Sequence, residues 1–209
     1  MPPNRLVHVI DDDDAVRESL EFLLRTAKID VRTYDSATAF LKTMPDAGTG
    51  CIITDVRMPG VSGVDLLRQL KARGSTMPVI VITGHGDIQL AVEAMKVGAA
   101  DFLEKPFDDE VLLASVKSAL GRLEKDAERE AERADLSSRL ATLSAREREV
   151  LEGLVAGKPN KVIAFDLGIS PRTVEIYRAH VMTKMNAGSL SELVRMALLA
   201  GILEADGTL

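Results

Sequence analysis

Cysteine is nearly absent from this chain. The single residue, Cys51, lies in the apolar stretch "CIIT", so no disulfide forms within the chain. A reducing compartment is the expected home, and the small apolar surroundings mark Cys51 as a core residue. Also missing is any apolar run of the ~20 residues needed to cross a bilayer. The opening residues, "MPPNRLVHV", lack the long apolar core of a secretory signal. Together these absences exclude a disulfide scaffold and predict a cytoplasmic protein with no membrane partner.

What remains is rich enough to fold. The chain has 209 residues, 46% hydrophobic and 28% charged, which predicts packed globular structure in one large or two small domains. The formal charge of −6 is unevenly spread. Residues 1–120 carry 13 Lys/Arg against 18 Asp/Glu, residues 121–140 carry 5 against 6, and residues 141–209 carry 8 of each. Such asymmetry points to parts with different tasks.

Over the first 120 residues strand and helix patterns alternate. Short apolar runs at Leu6–Ile10, Val31–Tyr34, Cys51–Thr54, Val79–Thr83 and Asp101–Glu104 predict strands. Helical patterns fall between and after them, at Ala15–Ala27, Ala37–Met44, Val64–Ala72, Ile88–Val97 and Glu110–Leu120. Asp14 and Asp87 stand where helix caps are expected. Five βα units imply an α/β fold, a doubly wound five-stranded parallel sheet of order 2-1-3-4-5. The fifth helix pattern runs on through "GRLEKDAEREAERADLSSRL", where opposite charges at i,i+3 favour an exposed helical linker. Beyond it, "SARE" and "SLSE" are capping-box signatures and "SPRTVE" places proline at a first helical position. Four helices follow, at about 145–156, 160–167, 171–186 and 190–200. The expected division is therefore 4–120, a linker at 121–140, and a small all-α domain at 141–205.

Four consecutive aspartates, Asp11 to Asp14, follow the first strand. Like charges this close repel by ~1 kcal/mol per pair at 4 Å in water, and by more in a drier site. A doubly wound sheet binds ligands beyond the carboxyl ends of its strands, at the switch point between strands one and three. Asp11 and Asp12 end strand one and Asp55 ends strand three, so they are expected to converge. Thr83 ends strand four, and Lys105 follows strand five on the same rim. Clustered carboxylates suit a hard cation, Mg²⁺ or Mn²⁺. Asp55 is the candidate nucleophile for a phosphoryl group, with Lys105 and the Thr83 hydroxyl stabilising its oxygens. Asp13 and Asp14 suit a helix N-terminus instead.

In the all-α part, two helices joined by "LGIS" read as a helix-turn-helix. Val174, Val181 and Met185 have core spacing on the second helix, while Arg172, Thr173, Glu175, Arg178 and Lys184 point elsewhere. Residues 158–184 carry five Lys/Arg against two Asp/Glu, a modest patch for DNA phosphates. One copy of so neutral a domain is expected to bind weakly, which favours a dimer on paired half-sites.

The motifs "VIDDD", "TDVRMPGVSG", "VITGHG" and "DFLEKPF" resemble those of the receiver domain of two-component response regulators, a flavodoxin-like fold. Residues 143–198 resemble the LuxR-type output domain. The combination is similar to the nitrogen-fixation regulators of rhizobia. The resemblance implies that Asp55 is phosphorylated by a FixL-like sensor histidine kinase. It implies Mg²⁺ on Asp12, Asp55 and the backbone carbonyl of Arg57, with Asp11 acting through water. Thr83 and Phe102 would form a switch pair, and Lys105–Pro106 would be cis. Lys161 and Arg172 through His180 would dock in the major groove of promoter DNA. Thr173, Arg178 and Lys184 are expected at phosphates, and Glu175, Ile176 and Ala179 at base edges. Val174 and His180 fall within the same stretch. Phosphorylation would drive homodimerisation through the receiver and transcription by RNA polymerase. No enzymatic activity is expected beyond self-phosphorylation and slow autodephosphorylation. Two rivals stand beside this reading. One is a Mg²⁺-dependent phosphohydrolase built on Asp55, which commonly needs a second carboxylate where this chain has Arg57. The other is a receiver whose output binds RNA or protein.

Overall fold

The computed structural model describes residues 6–44, 50–84 and 88–202. The chain forms two compact units, divided between Asp126 and Ala127.

In the first unit, β1 (Leu6–Ile10), β2 (Asp30–Tyr34), β3 (Cys51–Asp55), β4 (Val79–Thr83) and β5 (Asp101–Glu104) form one sheet. All neighbours are parallel, in the order β2-β1-β3-β4-β5. Helices α1 (Asp14–Thr26), α2 (Ala37–Thr43), α3 (Gly63–Ala72), α4 (Ile88–Val97) and α5 (Asp109–Ala141) follow the strands in turn. The two-residue period of each strand sends alternate side chains to opposite faces. Ile10, Ile52, Val79 and Val81 pack with Phe40, Leu66, Leu67 and Leu70 from α2 and α3. Val7, Val9, Cys51, Ile53, Ile80 and Ile82 pack with Leu20 and Leu24 of α1 and with Leu112 and Val116 of α5. Cys51 is fully buried, and burial pushes its thiol up to about 12, so it stays a protonated core side chain.

Two local expectations shift. The cap of α1 is Asp13 rather than Asp14: its Oδ1 accepts from the backbone N–H of Ala15 at 2.8 Å and of Val16 at 3.3 Å. Asp14 is the first helical residue and pairs with Arg17. The expected cap at Asp87, and the outer limits at residues 4 and 205, lie outside the described residues.

The second unit holds α6 (Ala145–Val155), α7 (Asn160–Leu167), α8 (Pro171–Met185) and α9 (Leu190–Leu199). The Ser144–Glu147 capping box is complete. At α9 only half of the expected box forms. The Ser189 hydroxyl accepts from the Glu192 N–H, but the Glu192 carboxylate reaches back to the Gly188 N–H at 2.8 Å. The helical stretch foreseen at 121–140 is the continuation of α5. Its last turns are part of the second unit's core: Leu136 and Leu140, with Leu143 just beyond, pack with Val150, Leu151, Leu154, Val174 and Val181.

Candidate functional site

Register fixes the geometry at the carboxyl edge of the sheet. Ile10 pairs with Thr54, which sets Asp11 beside Asp55 one step further along both strands. Thr83 pairs with Glu104, and the Lys105 N–H donates to the Thr83 carbonyl at 2.7 Å. The Lys105 side chain crosses the edge to its neighbours. Its Nζ donates to Asp55 Oδ1 at 2.8 Å and to Asp11 Oδ2 at 3.1 Å. The second oxygen of each carboxylate is held by backbone: Asp13 N–H donates to Asp11 Oδ1 at 2.9 Å, and Arg57 N–H to Asp55 Oδ2 at 2.6 Å.

These are costly neighbours. Only 5% of the Asp11 side chain and 11% of the Asp55 side chain reach solvent. Burial raises the Asp11 carboxyl above the usual carboxylate range, despite the Asp13 N–H and Lys105, and the adjacent Asp55 adds to the rise. Burial also opposes the Lys105 charge, yet the Asp55 hydrogen bond and both carboxylate charges carry its pKa above the usual lysine value. One ammonium thus faces two carboxylates, and Asp12 stands exposed one residue beyond Asp11.

The remaining site residues are placed as follows. Thr83 is buried, and its hydroxyl donates to the Gly84 carbonyl at 3.3 Å. Phe102 is half-buried against the core formed with α2, α3 and α4. The Lys105–Pro106 bond is cis. The structure therefore brings Asp11, Asp55 and Lys105 together and leaves Asp12 outside that hydrogen-bonded set. Among the described residues, no three acidic, histidine or cysteine side chains form a ready metal cage. The donor chemistry still suits a hard divalent cation. Every available group is a carboxylate or carbonyl oxygen, and two carboxylates, Asp11 and Asp55, share the one Lys105 ammonium.

Gly63 is a residue that sequence reasoning missed. A Cβ there would lie 2.2 Å from the Asp55 carbonyl oxygen. Only glycine lets the start of α3 pass this close beneath the aspartate. The signal was present in "MPGVSGVDLL", two glycines between strand and helix, but spacing alone does not tell a turn glycine from one required for close approach.

In the second unit α7 ends at Gly168 in the left-handed conformation (φ 66°), and α8 begins after the Ser170 cap with Pro171 at its first turn. Arg172, Glu175, Ile176, Ala179 and His180 are exposed on α8, Thr173 and Arg178 are half-exposed, and Lys161 is exposed on α7. One expected DNA contact is corrected. Val174 is completely buried among the core residues of the second unit, so its side chain reaches neither base nor phosphate. Lys184 is engaged inside the domain: Nζ donates to Glu147 Oε2 at 2.6 Å and to the Thr142 carbonyl at 3.1 Å. Glu147, foreseen only as a capping residue, is buried where it meets Lys184. The Lys184 hydrogen bond, with the Ser144 N–H, holds its carboxyl down at about 2.

A parallel α/β unit with a Lys-bridged aspartate pair, joined to a helix-turn-helix unit, defines a class: signal-receiving regulators with a nucleic-acid-binding output. Comparison with known families agrees. Residues 7–117 match the response regulator receiver domain, and residues 141–197 match the luxR family of bacterial regulatory proteins. The transcriptional regulatory protein FixJ of Azorhizobium caulinodans is 62% identical over 99% of this chain and 98% of its own. FixJ of Bradyrhizobium diazoefficiens is 55% identical, covering 94% of this chain and 96% of its own. Among solved structures, full-length FixJ from B. japonicum is 55% identical with a TM-score of 0.61, covering 95% of this chain and 98% of that one. The response regulator StyR is 40% identical with a TM-score of 0.81, covering 92% and 97%. The chain belongs to the FixJ-type response regulators. It is a phosphorylation-activated transcription regulator with a LuxR-type DNA-binding domain. No described helix is long and apolar enough to cross a membrane.

Proposed function

We propose that Asp55 is the phosphoacceptor and that this chain activates nitrogen-fixation genes, as the name of its FixJ relatives suggests. A carboxylate oxygen of Asp55 attacks phosphorus, and the phosphorus–nitrogen bond to a histidine of a FixL-like sensor kinase breaks. The observation that carries this reading is the Lys105 ammonium, 2.8 Å from Asp55 and 3.1 Å from Asp11 at the carboxyl edge of the sheet. It holds Asp55 in place before transfer and balances a phosphoryl oxygen afterwards. Asp12, Asp55 and the Arg57 carbonyl would hold Mg²⁺ or Mn²⁺, with Asp11 acting through water. The ion would offset repulsion between carboxylate and phosphoryl group.

Phosphorylation adds about −1.5 to −2 charge at Asp55. Thr83 turns its hydroxyl to the new oxygens and Phe102 moves inward. The face of α4, β5 and α5 then dimerises, and paired output domains bind promoter DNA and engage RNA polymerase in the cytoplasm. Driving such a switch from 1:99 to 99:1 takes ~5.5 kcal/mol, which phosphoryl contacts and dimer burial supply together. The working division is a receiver at 4–120, a helical linker at 121–140 and the output domain at 141–205. Chemistry is confined to self-phosphorylation and slow autodephosphorylation.

Asp55→Asn is expected to abolish acid-labile labelling by acetyl phosphate and to weaken DNA binding. Labelling that persists on Asp11 or Asp12 would refute the assignment. Steady turnover of phosphate esters would favour the phosphohydrolase instead.

A further inference from the structure

The output domain reads DNA with little positive charge. Of the five Lys/Arg in residues 158–184, two are already tied to carboxylates. Lys158 pairs with Asp166 at 2.9 Å, and Lys184 with Glu147 at 2.6 Å. Lys161, Arg172 and Arg178 have no carboxylate partner among the described residues. The Lys184 pair differs from a solvated surface pair. Glu147 is 4% exposed, anchored by the Ser144 N–H at 2.7 Å, and its other oxygen lies 3.5 Å from His180 Nδ1. Lys184 has a second anchor in the Thr142 carbonyl. Lys184 and His180 lie one helical turn apart on α8, the helix that carries the DNA-facing residues. While it is paired there, the Lys184 charge is offset by Glu147 and not by a DNA phosphate.

We infer that Glu147 is a specificity-determining residue: it withholds Lys184 from the DNA backbone and so limits sequence-independent affinity. The inference rests on the DNA-binding reading above. Sequence-independent affinity is set by the number of phosphates neutralised, and each contact contributes about −0.9 to the slope of log K against log salt. A regulator with fewer such contacts is held less strongly at the many non-specific sites and depends more on base contacts. Glu147 thus performs two tasks with one carboxylate. It caps α6, and it removes one phosphate-binding cation from the reading helix.

The test measures binding of the full chain, treated with acetyl phosphate and Mg²⁺, to a random-sequence duplex at several salt concentrations. Glu147→Gln keeps an oxygen for the Ser144 N–H but drops the charge that holds Lys184. Its salt slope is expected to steepen by about 0.9, an extra loss of roughly 3.5-fold between about 50 and 200 mM salt. Lys184→Gln alone should leave the wild-type slope unchanged, because that lysine touches no phosphate in the wild type. The double variant should return the steepened slope to the wild-type value, a result that mere loosening of the domain does not produce. The inference is overturned if Glu147→Gln binds with an unchanged or shallower slope. It is equally overturned if Lys184→Gln alone flattens the slope by about one. The Lys184→Gln arm keeps the inference refutable even where Glu147→Gln fails to fold. Absence of salt-dependent binding by the wild type would instead overturn the DNA-binding reading itself.

Discussion

A histidine buried in β1, an interior strand of the sheet, is expected to make the receiver sensitive to mild acid. His8 of β1 has no solvent exposure, and its ring packs 5.3 Å from Phe40 and 5.8 Å from Tyr34, centroid to centroid. Nδ1 lies 3.2 Å from the Tyr34 hydroxyl, while Nε2 meets no hydrogen-bond partner among the described residues. An imidazolium needs acceptors for both N–H groups and would face Arg32, its register partner on β2. Burial first, and then the Arg32 charge, push the pKa down from 6.5 to about 4. Between these two values the unfolded chain binds the proton and the folded chain does not, so stability rises with pH across this window. Lowering the pH from 7 to 5 should therefore cost the receiver about 2 kcal/mol through His8 alone, or roughly 6–10 °C of melting temperature. Calorimetry of the wild type and His8→Phe at both pH values isolates this effect, since the carboxylates titrate alike in each. At pH 7 the variant should be less stable by ~1 kcal/mol, having left the Tyr34 hydroxyl without its nitrogen. At pH 5 the order should reverse. Parallel losses in the two proteins would refute the argument.

Two further substitutions probe the units separately. Gly63→Ala forces a methyl group against the Asp55 carbonyl, 2.2 Å from where the new Cβ would sit. It should destabilise the receiver by about 1–3 kcal/mol and slow acid-labile labelling by acetyl phosphate, because it displaces the phosphoacceptor; unchanged melting and labelling would contradict the close approach. Leu151→Ala empties a fully buried position in the second unit. A loss of about 2–5 kcal/mol there should abolish retention on DNA while Asp55 is still labelled, and loss of both functions together would contradict independent cores.

The receiver was legible because its signals are periodic and its site sits where strands end. Asp11, Asp55 and Lys105 are far apart in sequence, but the order of a parallel sheet assigns them to one edge without any side-chain detail. What escaped was set by approach rather than by pattern. Gly63 looks like any turn glycine until the Asp55 carbonyl is found beneath it. His8 sits in "LVHVI" as an unremarkable interior residue, and only the pairing of β1 with β2 brings the Tyr34 hydroxyl to its ring. Position 12 tests the opposite limit. Sequence places Asp12 on the right edge, but whether its carboxylate joins the lysine or faces solvent depends on a rotamer, and here it is exposed.

In the output unit the same reasoning explains both successes and misses. Caps and the proline at the first turn of α8 are local signals, so its helices were bounded within a residue or two. Core membership is not local. The linker reading followed the fading alanines at 127, 131 and 134, yet Leu136 and Leu140 beyond them supply a hydrophobic face that the small bundle needs for closure. Sequence places Lys184 at DNA because it is cationic and lies off the core face of the second helix of the helix-turn-helix. Glu147 was assigned to a cap because it stands three residues after serine. Each assignment used one oxygen or one charge at a time. The fold combines them: Glu147 Oε2 accepts from the Ser144 N–H and from Lys184 Nζ together. A capping box whose acid also reaches a neighbouring helix fixes the start of one helix and the charge of another in a single contact. Charge counts along a sequence therefore overstate the cation content of such a surface by the pairs that its own core has already made.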